Sequence, residues 1–160
     1  MIRRRKLAAA ISAAAVGSLL FAGMTGVAAN AATPSWCGPK KITVGMTHGN
    51  GGNNWRAVNV GAAQLELAKC KSVTKVTYKD GQGSTTKAIS DIKSLVATGV
   101  KALIVFPDAG KAILPTLRAA YKAGVVTVPY RVDPGGKAGT DYSVYIPVSY
   151  THLRAHETKA

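Results

Sequence analysis

Three short stretches gather side chains with forked hydrogen-bonding groups. They are Asn53-Asn54-Trp55-Arg56 in GNNWR, Asp108 in FPDAG, and Tyr130-Arg131 followed by Asp133 in PYRVD. Amides, carboxylates and guanidinium groups make paired hydrogen bonds to neighbouring hydroxyls, while an indole stacks on the C–H face of a sugar ring. Such a set suits a small polyhydroxylated ligand. Each residue also has a plainer reading: Trp55 as a core residue of a helix, Arg56 as an exposed helix-start residue, Asp108 as a helix N-cap. Arg131, lying beyond a strand and off any helix flank, has the fewest structural reasons to be there.

Other chemistries lack parts. His152 and His156 have the i, i+4 spacing of a zinc pair, but both fall in a suspect C-terminal tail. His48 is then the one remaining histidine, and before a glycine-rich loop it reads as a solvated or capping residue. A Ser/His/Asp triad is therefore not assembled, and two cysteines build no metal cluster. No metal or cofactor is expected. Asp108 and Asp133 are a carboxylate pair of the kind a glycosidase uses, yet that reaction needs one of them held protonated. DGQGSTTK lacks the spacing of a phosphate loop and reads as a turn followed by a helix cap at Ser84.

The chain begins with a basic head, Arg3 to Lys6, an apolar stretch to about Phe21, and small residues at Ala29-Asn30-Ala31. That is the pattern of a secretory signal peptide over 1–31, and Ser12, Gly17, Ser18 and Gly23 interrupt it too often for a membrane span. Pro34-Ser35-Trp36 before Cys37 do not form a lipobox, so the expectation is a soluble exported protein suited to a periplasm. Export places Cys37 and Cys70 in an oxidising compartment, which favours a disulfide between them.

At the other end VSYTHLRAHET follows a strand-like stretch abruptly. Its eleven residues match the translation of a transposase adapter used in sequencing libraries, so 148–160 is expected to be adapter-derived, with Pro147 at the junction. What remains, 32–147, is enough for one modest domain. Of the formal charge of +14, four positives lie in the leader and a net one in the tail, which leaves +9. The lysines (69, 71, 75, 79, 87, 93, 101 and 111) form no run and no aromatics interleave with them, which speaks against a nucleic-acid platform and leaves a non-specific affinity for anionic surfaces open.

The elements that must position these residues alternate. Runs at 42–46, 73–78, 102–106 and 125–130 are rich in β-branched residues and bounded by Gly, Pro or Asp, as buried strands are. Between them Trp55, Val58, Ala62 and Leu65 fall on one helical face, then Ile89, Ile92 and Val96, then Ile113, Leu117 and Ala120. Gly99 and Gly124 are the expected helix stops, and Pro115 fits only in a first helical turn. Strand–helix alternation predicts an α/β fold: a parallel, Rossmann-like sheet with helices on both faces. Ligands bind such sheets at the carboxyl ends of the strands, which is where NNWR, Asp80, Gln82, Ser84, Asp108 and Tyr130-Arg131 all fall.

The segments KITVGMTHG, GNNWR, STTKAISDIKSLVATGVKALIVFPDAG and LPTLRAAYKAGVVTVPYRVDPGG, in this order, resemble the periplasmic sugar-binding proteins of ABC importers, in their ribose-binding-like branch. AISDIKSLVATGVKALIVFP is the most characteristic part. The resemblance implies the incomplete N-terminal lobe of a two-lobe fold that closes on a sugar or sugar alcohol by hinge motion. It also implies a membrane permease as partner, a monomer at full length and no catalysis. By position it implicates Asn54, Trp55, Arg56, Asp108, Tyr130 and Arg131 in ligand binding. Where many relatives carry Asp-Arg after the fourth strand this chain has Tyr130-Arg131, which leaves Asp133, or no group, as the carboxylate. A sensor domain feeding a kinase or chemoreceptor, and an exported α/β hydrolase, stand as alternatives. A lobe without its second half would expose apolar surface and is expected to be unstable or to aggregate.

Overall fold

The structure is a computed structural model that describes residues 33–148. The signal-peptide segment and all of the adapter-like tail but Val148 lie outside the described residues. The elements alternate as the sequence predicts: β1 (Ile42–His48), α1 (Asn54–Ala68), β2 (Val73–Asp80), α2 (Thr85–Ala97), β3 (Ala102–Phe106), a 3-10 turn (Gly110–Ile113), α3 (Leu114–Lys122), β4 (Val126–Arg131) and a short β5 (Ile146–Pro147). All neighbouring strands pair in parallel, in the order β2-β1-β3-β4-β5. β1 and β2 each run two residues further than their apolar runs, which carries His48 and Asp80 into the sheet.

Local chemistry sets the ends. Asn53 and Ser84 cap α1 and α2, their side chains accepting from the amides of Arg56 and Lys87. Gly99 and Gly124 stop α2 and α3 in the left-handed region, with φ of 80° and 81°. Pro115 sits in the first turn of α3, where its missing N–H costs nothing, and the 3-10 turn precedes it.

The two sheet faces are covered unequally. Leu95 and Leu103 approach Gly45 on one face, where Ile92, Leu95, Leu103 and Leu117 are fully buried between β3, α2 and α3. Each such side chain contributes about 1.5–3 kcal/mol by leaving water. Val44, Met46 and His48 alternate onto the opposite face, where α1 lies. The stripe expected to bury α1 does not do so: Val58 and Leu65 are 71% and 72% exposed, and Trp55 is half exposed. The inward side instead carries Arg56, Asn59, Val60, Ala63 and Leu67, so that polar residues lead the helix face that meets the sheet.

Cys37 and Cys70 form a disulfide, as expected, with Cα atoms 5.3 Å apart. It ties the segment before β1 to the end of α1.

Candidate functional site: a cleft at the strand carboxyl ends

β1 is the second strand in the sheet order, and the chain winds to β2 on one side of it and to β3 on the other. The crevice of a doubly wound sheet opens at this reversal. His48 is in register with both Asp80 and Phe106, so the loops after β1, β2 and β3 leave the sheet together. They are tied to each other. Asp80 Oδ1 accepts from the amides of Gly51 (2.7 Å) and Gln82 (2.9 Å), and Asp108 Oδ2 accepts from the amide of Asn50 (2.9 Å). The approach is close enough that a Cβ on Gly49 would lie 2.6 Å from that of Asp108.

Above this junction the first turn of α1 meets the loop after β3. Arg56 donates from Nη1 to Asp108 Oδ2 at 2.7 Å and from Nη2 to Oδ1 at 2.6 Å, a fork-to-fork pair. The two side chains retain 14% and 24% exposure. Asp108 is thus an ion-pair partner and does not cap the following turn, which begins without a side-chain cap. The Arg56 guanidinium also lies 4.1 Å from the centre of the Phe106 ring, and Phe106 meets Trp55 edge-on at 6.0 Å. Arg131 has φ of 66°, uncommon for a residue with a side chain, and from there its guanidinium stacks 4.2 Å over the Trp55 indole.

These groups line an open cleft of about 620 Å³ bounded by Asn53, Asn54, Trp55, Arg56, Phe106, Asp108, Arg131 and Val132. Of the six binding residues expected from the sequence, Asn54, Trp55, Arg56, Asp108 and Arg131 come together on its wall. Tyr130 does not line it. The Tyr130 hydroxyl points beneath the cleft, donating to Asn59 Oδ1 at 2.6 Å and meeting His48 Nε2 at 2.8 Å. Asp133 turns back on its own loop to accept from the Gly135 amide.

His48 is 1% exposed, and the solvated or capping role expected for it is overturned. The physical reason is the length of β1, which carries the ring to a site flanked by Tyr78, Phe106 and Tyr130. The Tyr130 hydroxyl thus bridges Asn59 Oδ1 and His48 Nε2, which leaves Nδ1 as the other ring nitrogen of His48. That Nδ1 has no hydrogen-bond partner among the described residues. Burial, with Arg56 nearby, pushes the His48 pKa down, and burial pushes the Tyr130 phenol up to about 12. Both groups are therefore neutral at pH 7. For Asp80 burial acts the other way, but the amides of Gln82 and Gly51 together with the nearby Lys87 and His48 outweigh it and hold the carboxyl below its usual range.

Phe106, His48 and Asn59 were not singled out as site residues by sequence. Phe106 ends a strand and reads as core; only its place beside Asp108 at a carboxyl end marked it. The arrangement offers a fork-shaped charged pair, two amides and aromatic surface to one small molecule, with neutral polar groups packed below.

No protein-family model matches the sequence, and no curated protein matches it either. Solved structures do. The periplasmic binding protein component of the arabinose ABC transporter from Shewanella sp. ANA-3, bound to L-arabinofuranose, is 20% identical with a TM-score of 0.61, over 74% of this chain and 41% of its own. A galactofuranose binding protein is 24% identical with a TM-score of 0.60, over 67% and 36%. The fructose-binding periplasmic domain of the hybrid two-component system BT1754 is 18% identical with a TM-score of 0.60, over 66% and 33%. The chain thus spans between a third and about two-fifths of the length of these structures, and over that span it has the α/β fold of the periplasmic sugar-binding proteins.

Proposed function

We propose that this protein is the substrate-binding component of an ABC importer: it captures a sugar or sugar alcohol outside the inner membrane and hands it to a permease without covalent chemistry. One observation carries the reading. At the switch point of the sheet, Asn54, Arg56, Asp108 and Arg131 converge with Trp55 and Phe106 on a single cleft. In this role, the charged fork and the amides take paired hydroxyls, and a wrong hydroxyl pattern leaves buried polar groups unpaired, at about 1–3 kcal/mol each. The sugars bound by the similar structures support the ligand class.

The same reading divides the chain into an export leader over 1–31, a first lobe over 32–147 and an adapter-derived tail over 148–160. A second lobe would close the cleft from the other side. Sequencing the native locus past codon 146, from DNA that has never carried library adapters, tests this division. A frame continuing into a second α/β lobe supports it, and the same codons through 160 in native DNA contradict it.

Calorimetric titration with a panel of pentoses, hexoses and polyols tests the function. Saturable binding of one class is expected, weakened by Trp55→Ala. Absence of binding across the panel, or turnover of a chromogenic glycoside, defeats the reading. The fructose-binding neighbour supports a second role for the same cleft, ligand sensing. A kinase or chemoreceptor gene at the locus in place of a permease would favour it.

A further inference from the structure

The lysines that form no run along the sequence are sorted by the fold. In a parallel sheet every strand starts at the same edge, and this chain places a lysine just before or within most of those starts. Lys40 and Lys41 precede β1, Lys71 precedes β2 with Lys69 at the end of α1, Lys75 lies in β2, and Lys101 precedes β3. The register holds them together. The Ile42 amide donates to Ser72 O, the Lys101 amide donates to Thr43 O, and Thr43 pairs with Lys75. All six lysines are exposed.

Acidic groups are sorted the other way. Asp80 ends β2, and Asp108 and Asp133 follow β3 and β4, at the opposite, carboxyl edge. Asp91 pairs with Lys87 inside α2, and Asp141 with Arg118. Glu66, paired with Lys69, is the one acidic residue near the amino edge among the described residues. The disulfide fixes a second feature there: by holding Cys37 against Cys70, between Lys69 and Lys71, it brings Trp36 alongside with 57% of its surface exposed.

We infer that the amino edge of the sheet is a docking surface for an anionic lipid bilayer, with Lys40, Lys41, Lys69, Lys71, Lys75 and Lys101 meeting the headgroups and Trp36 entering the interface. A cluster of six flexible ammonium groups with a single carboxylate beside it is attracted by an anionic leaflet within a Debye length, and an adjacent indole suits the headgroup layer. A polynucleotide fits less well, because no aromatic platform accompanies the lysines along a groove. The geometry also leaves the cleft at the carboxyl edge facing away from the bilayer, so docking does not block it.

The test is co-sedimentation of the full chain with vesicles of phosphatidylcholine alone or in equal parts with phosphatidylglycerol. Two triple variants are compared: Lys41, Lys71 and Lys101 each to Gln, and Lys93, Lys111 and Lys137 each to Gln. Both remove the same charge and retain the same leader, so their difference reads the edge alone. At about fivefold per lysine, the edge set is expected to lower partitioning onto anionic vesicles on the order of a hundredfold, with the control set close to the parent. Added salt should abolish the difference, and the emission of Trp36, followed in a Trp55→Phe background, should shift to the blue on anionic vesicles. Circular dichroism of both variants checks that these exposed exchanges leave the fold intact. Equal partitioning of the two variants overturns the inference, as does an unshifted Trp36. Tighter binding to a duplex oligonucleotide than to the vesicles would replace the bilayer with another polyanion.

Discussion

Arg56 and Asp108 are 52 residues apart in sequence and meet through two parallel N–H···O contacts of 2.7 and 2.6 Å, joining the first turn of α1 to the loop after β3. The pair fixes one wall of the cleft and presents a charged fork to it. Arg56→Lys keeps the charge but loses the fork. Sugar affinity in the variant is expected to fall tenfold or more, which is about 1.4 kcal/mol in a calorimetric titration. In urea unfolding, a double-mutant cycle with Arg56→Ala and Asp108→Ala should give a coupling of about 1 kcal/mol, since both groups keep some contact with water. A coupling near zero would show that the pair does not hold the loops together.

The buried His48 makes stability depend on pH. Its folded pKa lies below the ordinary 6.5, because burial and then the nearby Arg56 charge disfavour the imidazolium. The unfolded chain therefore binds this proton more readily than the folded one. The contribution of the neutral ring is complete above about pH 6.5 and is lost as the pH falls from there towards the folded pKa. Asp80, and Asp141 with its Arg118 partner, sit below the carboxyl range and add their own loss only under about pH 4. Urea midpoints at about pH 7.5 and 5.5 should differ in the parent and differ less in His48→Gln. An equal slope in both would place the acid sensitivity elsewhere.

The disulfide closes a loop with a sequence separation of 33 between Cys37 and Cys70. On loop-closure grounds the double exchange to Ser, or reduction, should cost about 3–4 kcal/mol of unfolding free energy. The urea midpoint with and without reductant reads it directly. Because Trp36 is held by this link, the same treatment should also change its emission, while the cleft, at the opposite edge of the sheet, keeps its geometry.

Two glycines of opposite surroundings separate loop packing from helix propensity. A Cβ on Gly49 would press on Asp108, so Gly49→Ala should cost about 1–3 kcal/mol and weaken sugar binding together. Gly61, inside α1, has nothing within 4 Å of such a Cβ, and Gly61→Ala should stabilise by up to about 1 kcal/mol. Thermal melts of the two variants are expected to move in opposite directions.

Much of this was legible in the sequence, and the misreadings have physical causes. The strands and their glycine stops stood out because buried parallel strands read as continuous apolar runs. The carboxyl-edge placement of Asn54, Trp55, Arg56, Asp108 and Arg131 followed from alternation alone. The inward face of α1 did not. Periodicity selected the most apolar stripe, Trp55, Val58, Ala62 and Leu65, whereas the side facing the sheet begins with Arg56 and Asn59, which serve Asp108 and Tyr130. A helix that supplies a site departs from the pattern of one that only fills a core. His48 was misread because β1 extends two residues beyond its apolar run. The lysines looked scattered because their grouping exists only across the sheet, where strand starts far apart in sequence become neighbours.

The most direct test of the central claim is a heteronuclear NMR titration that follows the Trp55 indole, the Arg56 and Arg131 Nε–H signals and the backbone amides while the sugar or polyol selected by calorimetry is added. Shifts concentrated at residues 53–56, 106–108 and 131–132, saturating with the calorimetric affinity, are the predicted result. Saturation with these signals unmoved, or with shifts centred on the amino edge around Lys41 and Lys71, would contradict it.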